Sequence, residues 1–90
     1  MELKDTSELM NSEDYKERFK AEYHQTKNRY EKLKKFNNRI RAAEMTRFEI
    51  ERKEMPKHDC PSELLFSQQG AMEEYLRILE LRAEIEGVEL

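Results

Sequence analysis

No glycine or proline occurs in the first 55 residues of this 90-residue chain. Apolar residues and one threonine recur there at spacings of three and four: Tyr15, Phe19, Tyr23, Thr26, Tyr30, Leu33, Phe36 and Ile40. Because a helix turns once in about 3.6 residues, these side chains share one face. The pattern predicts a long amphipathic helix, capped by Asn11 or Ser12 and continuing to about residue 53.

A break separates this helix from a second one. Residues 56–61, PKHDCP, hold two prolines, which cannot continue a helix interior. The segment that follows has Leu, Ile, Met and Tyr along one broad face and glutamates on the other. We expect Asp59 or Cys60 near its N-terminal cap and Gly87 at its end.

The chain is therefore predicted to be all-α, one antiparallel helical hairpin domain. Its expected parts are an N-terminal segment at 1–13, helical arm one at 14–53, a break at 54–61 and helical arm two at 62–87. Charged residues make up 41% of the chain and hydrophobic residues 37%, so the core is small. Since a two-helix hairpin also leaves apolar surface uncovered, we expect a homo-oligomer.

The composition excludes several classes of function. His58, Asp59 and Cys60 are adjacent, but a structural zinc site needs four ligands in paired spacings, which the sequence lacks. It also lacks a glycine-rich phosphate loop and a nucleophile elbow. A single cysteine, no apolar run of about 20 residues and no secretory signal favour an intracellular protein. We expect no catalysis, no metal, no cofactor and no membrane partner.

Positive charge is concentrated in residues 27–41, KNRYEKLKKFNNRIR, which carry seven Lys or Arg against one Glu, although the net charge of the chain is −3. Lys32, Lys35 and Arg39 follow one another at helical spacing and share a face. One interpretation is a solvated helix surface. The other is an anion site, in which these cations neutralise phosphates.

The sign and distribution of charge restrict the anion. Residues 61–90 hold seven Glu against two Arg, which would repel duplex nucleic acid, whereas a compact ligand with two or three phosphates fits a local basic pocket. Tyr23 and Tyr30 are expected in the core. Tyr15, at the polar start of the helix, is the better candidate to stack on a base.

Two stretches carry a resemblance to a known family: DYKERFKAEYHQTKNRYEKLKKF and CPSELLFSQQGAMEEYLRILELRAEIEGVEL. They are similar to the hairpin-domain phage proteins that act as anti-CBASS and anti-Thoeris sponges. In arm one the matching positions are Arg18, Glu31-Lys32-Leu33 and Phe36. In arm two they are Glu63-Leu64-Leu65, Gln68, Ala71-Met72, Tyr75-Leu76, Ile78-Leu79 and Arg82.

The resemblance implies a non-enzymatic homohexamer in the cytoplasm of an infected bacterial host. Such proteins bind cyclic di- or trinucleotides or cyclic ADP-ribose-type messengers and hold them intact, so that the host's immune effector is not activated. By position, Lys32 would meet the phosphates and Tyr15 would stack on a base. Arg18 is the next candidate, and Lys35 and Arg39 complete the expected ligand-binding set.

One segment departs from that family, and one alternative function stays open. Residues 37–60 are longer and more charged than the short turn that the resemblance leads us to expect, and their arginines could alter ligand choice or oligomer geometry. The alternative is a coiled-coil hairpin that acts as an interaction scaffold without a small-molecule ligand. Its charges would then serve solubility and helix register.

Overall fold

The computed structural model describes residues 14–90, which form two helices joined by an irregular segment. Helix α1 spans Tyr15–Met45 and helix α2 spans Ser62–Glu86. They run antiparallel, since the start of α1 meets the end of α2 while Asn37 meets Leu65. The described residues contain no strand, so the predicted all-α hairpin is confirmed.

Helix α1 is capped by Asp14. Its Oδ1 accepts hydrogen bonds from the backbone N–H groups of Lys16 at 2.8 Å and Glu17 at 3.1 Å. A carboxylate at this end also faces the positive pole of the helix dipole. Asn11 and Ser12, the caps expected from the sequence, lie outside the described residues, as does the whole segment 1–13.

Helix α1 ends at Met45, and the expected continuation to about residue 53 is wrong. The Thr46 hydroxyl donates to the Ala42 carbonyl oxygen at 2.7 Å and accepts from the Lys53 backbone N–H at 2.9 Å. A threonine side chain that bonds locally competes with helical backbone bonds. The chain therefore turns at Thr46 and continues as an irregular segment to Pro61.

Helix α2 begins after Pro61, which occupies the cap position without a side-chain hydrogen bond. Cys60, which with Asp59 was expected near the cap, directly precedes it. The other end follows the prediction: Gly87 has φ 71°, a left-handed conformation that favours glycine. The Val88 N–H then bonds the Ala83 carbonyl oxygen at 2.9 Å, which closes the helix end and places Val88 in the core.

The core is a seam between the two helices. From α1 it buries Phe19, Tyr23, Thr26, Tyr30, Asn37 and Ile40, and from α2 Leu76, Leu79 and Ala83. The predicted core positions of Tyr23 and Tyr30 are confirmed, whereas Tyr15 is 48% exposed. Leu33 and Phe36, also on the predicted apolar stripe, are half-buried.

A buried amide fixes the register of the seam. Asn37 is fully buried, and its Nδ2 donates to the Leu65 carbonyl oxygen at 3.1 Å and to Gln69 Oε1 at 2.8 Å. Its Oδ1 has no hydrogen-bond partner. Because sliding one helix along the other would leave the Nδ2 group unpaired as well, this residue opposes slippage of the hairpin.

Hydrogen bonds between tyrosine and glutamate flank the apolar seam. Three tyrosine hydroxyls donate to carboxylates of the opposite helix: Tyr15 to Glu86 at 2.7 Å, Tyr23 to Glu80 at 2.5 Å and Tyr75 to Glu22 at 3.1 Å. Hydrogen bonds to ionised acceptors are stronger than neutral ones. They join the two helices at several levels along the hairpin.

The Asn37 contact predicts that Asn37→Asp destabilises the protein while Asn38→Asp does not. A carboxylate at position 37 would be buried against the Leu65 carbonyl oxygen, which cannot donate, whereas Asn38 is exposed. We expect a loss of about 1–3 kcal/mol in the free energy of unfolding for the first variant. Urea denaturation of both proteins checks this, and equal midpoints would contradict it.

The Tyr23–Glu80 contact predicts an unusual alkaline titration. Burial, and then the hydrogen bond to Glu80, raise the pKa of Tyr23 from 10.0 to about 12. The raised value means that this stabilisation is complete below the unfolded-state pKa and is lost as the pH rises through about 12. Tyrosinate absorbance of the wild type should still rise near pH 12, and this late component should be smaller in Tyr23→Phe. Equal late components in the two proteins would contradict the prediction.

Candidate ligand-binding surface

Tyr15 is held by two residues at the end of α2. Its hydroxyl donates to Glu86 Oε1 at 2.7 Å and accepts from Arg82 Nη2 at 2.7 Å. Arg82 Nε also donates to Glu86 Oε2 at 3.0 Å, and its guanidinium lies 5.1 Å from the centre of the Phe19 ring. The half-exposed Tyr15 ring therefore has a fixed hydroxyl and an arginine beside it.

The charges of this cluster are set by its hydrogen bonds. The bond to Glu86 raises the pKa of the Tyr15 phenol. The bonds from Tyr15 and then from Arg82 lower the pKa of Glu86. At neutral pH a neutral phenol thus lies between a carboxylate and a guanidinium. An aromatic ring immobilised in this way loses little further freedom when a base stacks on it.

The five residues expected to bind a ligand fall into two groups along α1. Tyr15 and Arg18 lie on its first turn, and Lys32, Lys35 and Arg39 lie on its second half; all five are exposed. At about 1.5 Å of rise per residue, Lys32 is about 25 Å from Tyr15 along the helix. One chain therefore does not bring the two groups together.

The Lys and Arg side chains of α1 also point to different sides of the helix. Side chains on a helix are separated by about 100° per residue, so Arg18 and Arg29 share the side of α1 that carries Glu22. Glu22 accepts the Tyr75 hydroxyl of α2, so this side lies next to α2. Lys32 lies about 60° around the helix from Arg29, and Lys35 and Arg39 lie still farther from α2. Arg29 was not among the sequence-predicted residues. It follows Glu22 by seven positions, about two helical turns, and therefore lies on the same side of α1.

Helix α2 has a second apolar face that α1 does not cover. The expected single broad face is divided into two adjacent stripes, of which one packs on α1. The other, here called the open stripe, consists of Leu64, Gln68, Ala71, Tyr75, Ile78, Arg82 and Ile85, all exposed. It borders the side of α1 that carries Arg18 and Arg29.

Sequence reasoning placed Arg82 on the apolar face but did not connect it with Tyr15. The contact joins residues 67 positions apart, which no local pattern predicts. A usable signal was present, however. Arg82 is a lone cation in an apolar stripe, and a charge at such a position requires a partner.

The groove on the other side of the hairpin is electrically mixed. Lys27 and Lys34 of α1 line it together with Glu73, Arg77 and Glu80 of α2. The carboxylates offset the cations there, so this groove is a poor site for a polyphosphate.

The connecting segment holds the other chemically active side chains. His58 Nδ1 lies 2.9 Å from the Cys60 carbonyl oxygen, and its ring meets Phe36 edge-on at 6.1 Å. Within residues 14–90, no group of three or more His, Cys, Asp or Glu side chains is placed to hold a metal ion. In the same range, neither helix is long and apolar enough to cross a bilayer.

Comparison with known proteins assigns the chain to a family. The family model described as Sequestin matches residues 13–85, a range that includes α1, the segment 37–60 and all of α2 except its last residue. No curated protein and no solved structure gives a significant match. The family's name denotes sequestration, which means binding a ligand and withholding it. By this match, which covers most of its length, the chain belongs to the Sequestin family.

Proposed function

We propose that this protein sequesters cyclic di- or trinucleotides or cyclic ADP-ribose-type messengers in the cytoplasm of an infected bacterial host. It holds them without cleaving them, so that the host's anti-phage effector is not activated. Membership of the Sequestin family supports sequestration. The observation that carries the choice of ligand is the exposed cationic side of α1, which borders the open stripe and the fixed Tyr15 ring.

The charges of the two helices favour a compact anion. Residues 15–45 carry ten Lys or Arg against four Glu, whereas residues 62–86 carry six Glu against two Arg. A long polyphosphate would run from the basic helix onto the acidic one and be repelled there. A cyclic dinucleotide or trinucleotide is small enough to contact the basic helix alone.

The side chains of this surface are suited to holding a ligand. Lys and Arg donate hydrogen bonds to phosphate oxygens, each contributing about 1.5–3 kcal/mol. A base stacked on an aromatic ring adds about 1–3 kcal/mol. Two or three such phosphate bonds and one stack sum to about 4–12 kcal/mol before ordering costs, against about 8 kcal/mol for a micromolar and about 12 kcal/mol for a nanomolar dissociation constant.

A site that uses both groups of residues requires more than one copy of the chain. Because Tyr15 and Lys32 lie about 25 Å apart along α1, no single small messenger contacts both in one protomer. We therefore place the site between copies of a homo-oligomer, which the resemblance implies to be a hexamer. Lys32, Lys35 and Arg39 of one copy would then meet Tyr15 and Arg18 of another.

A second candidate function is an interaction scaffold without a small-molecule ligand. The open stripe favours it, because an uncovered apolar helix face suits docking of a protein. On this alternative the basic residues of α1 serve solubility, and their removal leaves function unchanged.

The sequestration proposal predicts binding without turnover. Calorimetric titration with a panel of cyclic dinucleotides, cyclic trinucleotides and cyclic ADP-ribose isomers should show at least one ligand that binds. Heat denaturation of the complex should release that ligand with unchanged mass by mass spectrometry. Release of a hydrolysed product would indicate an enzyme, and no binding across the panel would favour the scaffold.

A matched pair of lysine variants tests the site. Lys32→Ala should weaken binding of the ligand found above at least tenfold, about 1.4 kcal/mol, because a phosphate loses its cation. Lys57→Ala removes an exposed lysine from the connecting segment and should leave the affinity unchanged. Equal affinities for the two variants would contradict the role of Lys32, provided that native mass spectrometry shows the same assembly for both.

A further inference from the structure

We propose that the open stripe of α2 pairs with the open stripe of a second copy, antiparallel, about a twofold axis at Tyr75. The inference rests on the self-association proposed above and names the surface and geometry that produce it. It assigns one occupant to the apolar face that the hairpin leaves uncovered: the same helix of another protomer.

The first support is the spacing of the stripe. Its seven residues alternate at intervals of four and three, the repeat by which helices pack against each other as coiled coils. Its large apolar members are well exposed: Leu64 is 60%, Ile78 42% and Ile85 78% accessible. No part of residues 14–90 covers them, and an exposed face of this kind is characteristic of an interaction surface.

The second support is that the open stripe is complementary to the open stripe of a second copy that runs in the opposite direction. In an antiparallel pair centred on Tyr75, Leu64 faces Ile85 of the partner subunit, and the small Ala71 faces the partner's Ile78. Large residues thus meet small ones or one another without a polar mismatch. Tyr75 meets its own copy across the axis, where two tyrosine rings can pack offset.

The polar positions of the stripe decide the direction of pairing. In the antiparallel arrangement, the Gln68 amide oxygen faces the guanidinium of Arg82 of the partner subunit and can accept from it. In a parallel arrangement, Arg82 would face the partner's Arg82, and two like charges in an apolar interface repel. An unrelated partner protein is not expected to present residues complementary to this order of side chains, whereas a second copy in the antiparallel direction presents one at every position of the stripe.

The charges beside the axis are also compatible with pairing. Glu74 borders the stripe next to Tyr75, so its copy in the partner subunit would lie nearby. Arg77 binds Glu74 through two hydrogen bonds, Nη2 to Oε1 at 2.7 Å and Nε to Oε2 at 2.9 Å. The carboxylate is therefore neutralised within its own chain, and this bond lowers the pKa of Glu74.

This pairing would bring the two groups of ligand-binding residues to one level. Within a chain, Tyr15 contacts Arg82 and Glu86, and Asn37 contacts Leu65. In the pair, the part of α2 near residue 65 lies beside the part of the other copy's α2 near residue 86. Tyr15 of one copy, which contacts Glu86 of its own chain, therefore lies at the same height along the helices as the partner's Asn37. The second half of one α1 thus lies at the level of the aromatic start of the other.

The same geometry creates a groove with basic walls. A twofold axis perpendicular to paired α2 helices places both α1 helices on the same side of the pair. The side of α1 that borders the open stripe then faces its copy across the groove. Arg18, Glu22 and Arg29 of both protomers line the walls, where Glu22 accepts the Tyr75 hydroxyl, Lys32 lies at the rim, and the α2 pair forms the floor.

The surface is tested by the mass of the assembly without ligand. We expect wild-type protein to be oligomeric by native mass spectrometry and light scattering. Ile78→Glu, which puts a charge in the stripe, should lower the mass. Phe48→Glu is the control, because Phe48 is 89% exposed and lies outside the stripe. A monomeric wild type, or an Ile78→Glu variant of wild-type mass, would overturn the proposal.

The antiparallel direction is tested by disulfide trapping in a Cys60→Ser background. Copies with Ala71→Cys and copies with Ile78→Cys should form a disulfide-linked heterodimer when mixed under mild oxidation. Neither should cross-link alone, because the two copies of Ala71 lie eight residues apart in level and the two copies of Ile78 six, about 12 Å and about 9 Å along the helices. Cross-linking of each variant alone would show parallel pairing. No cross-link in the mixture would refute the antiparallel pair. Neither result depends on ligand binding, which is tested separately by titration.

Discussion

A hairpin of two helices can cover only one side of each helix, and α2 has apolar residues on two sides. One stripe, with Leu76, Leu79 and Ala83, packs on the tyrosines of α1 and forms the core. The adjacent stripe remains open beside the basic side of α1. The proposed self-association and the proposed ligand site between copies both follow from this excess of apolar surface over the area that one chain can cover.

Periodicity and special residues predicted much of the fold. The three-and-four spacing in α1 placed Tyr23 and Tyr30 in the core, and Gly87 ended α2, because both signals act within a few residues. The end of α1 depends instead on the Thr46 hydroxyl, which binds Ala42 and Lys53 in a turn that propensity did not reveal.

The orientation of α2 and the surroundings of Tyr15 could not be predicted from the sequence. A helical pattern gives the angle between two side chains of one helix but not the direction of the neighbouring helix, so two stripes of α2 were merged into one face. Arg82 reaches Tyr15 only through the hairpin. Exposure of Lys32, Lys35 and Arg39 followed from their spacing, and their distance from Tyr15 followed from the single long helix that the sequence predicts, at about 1.5 Å of rise per residue.

The central claim is that the cations of α1 form an anion site only after subunits pair, and the affinity of Ile78→Glu measures this most directly. That variant retains every Lys and Arg of the chain while its open stripe carries a charge. Titrated with a messenger that the wild type binds, it should show no measurable binding while circular dichroism shows intact helices. Wild-type affinity in a protein that is monomeric by light scattering would contradict the account.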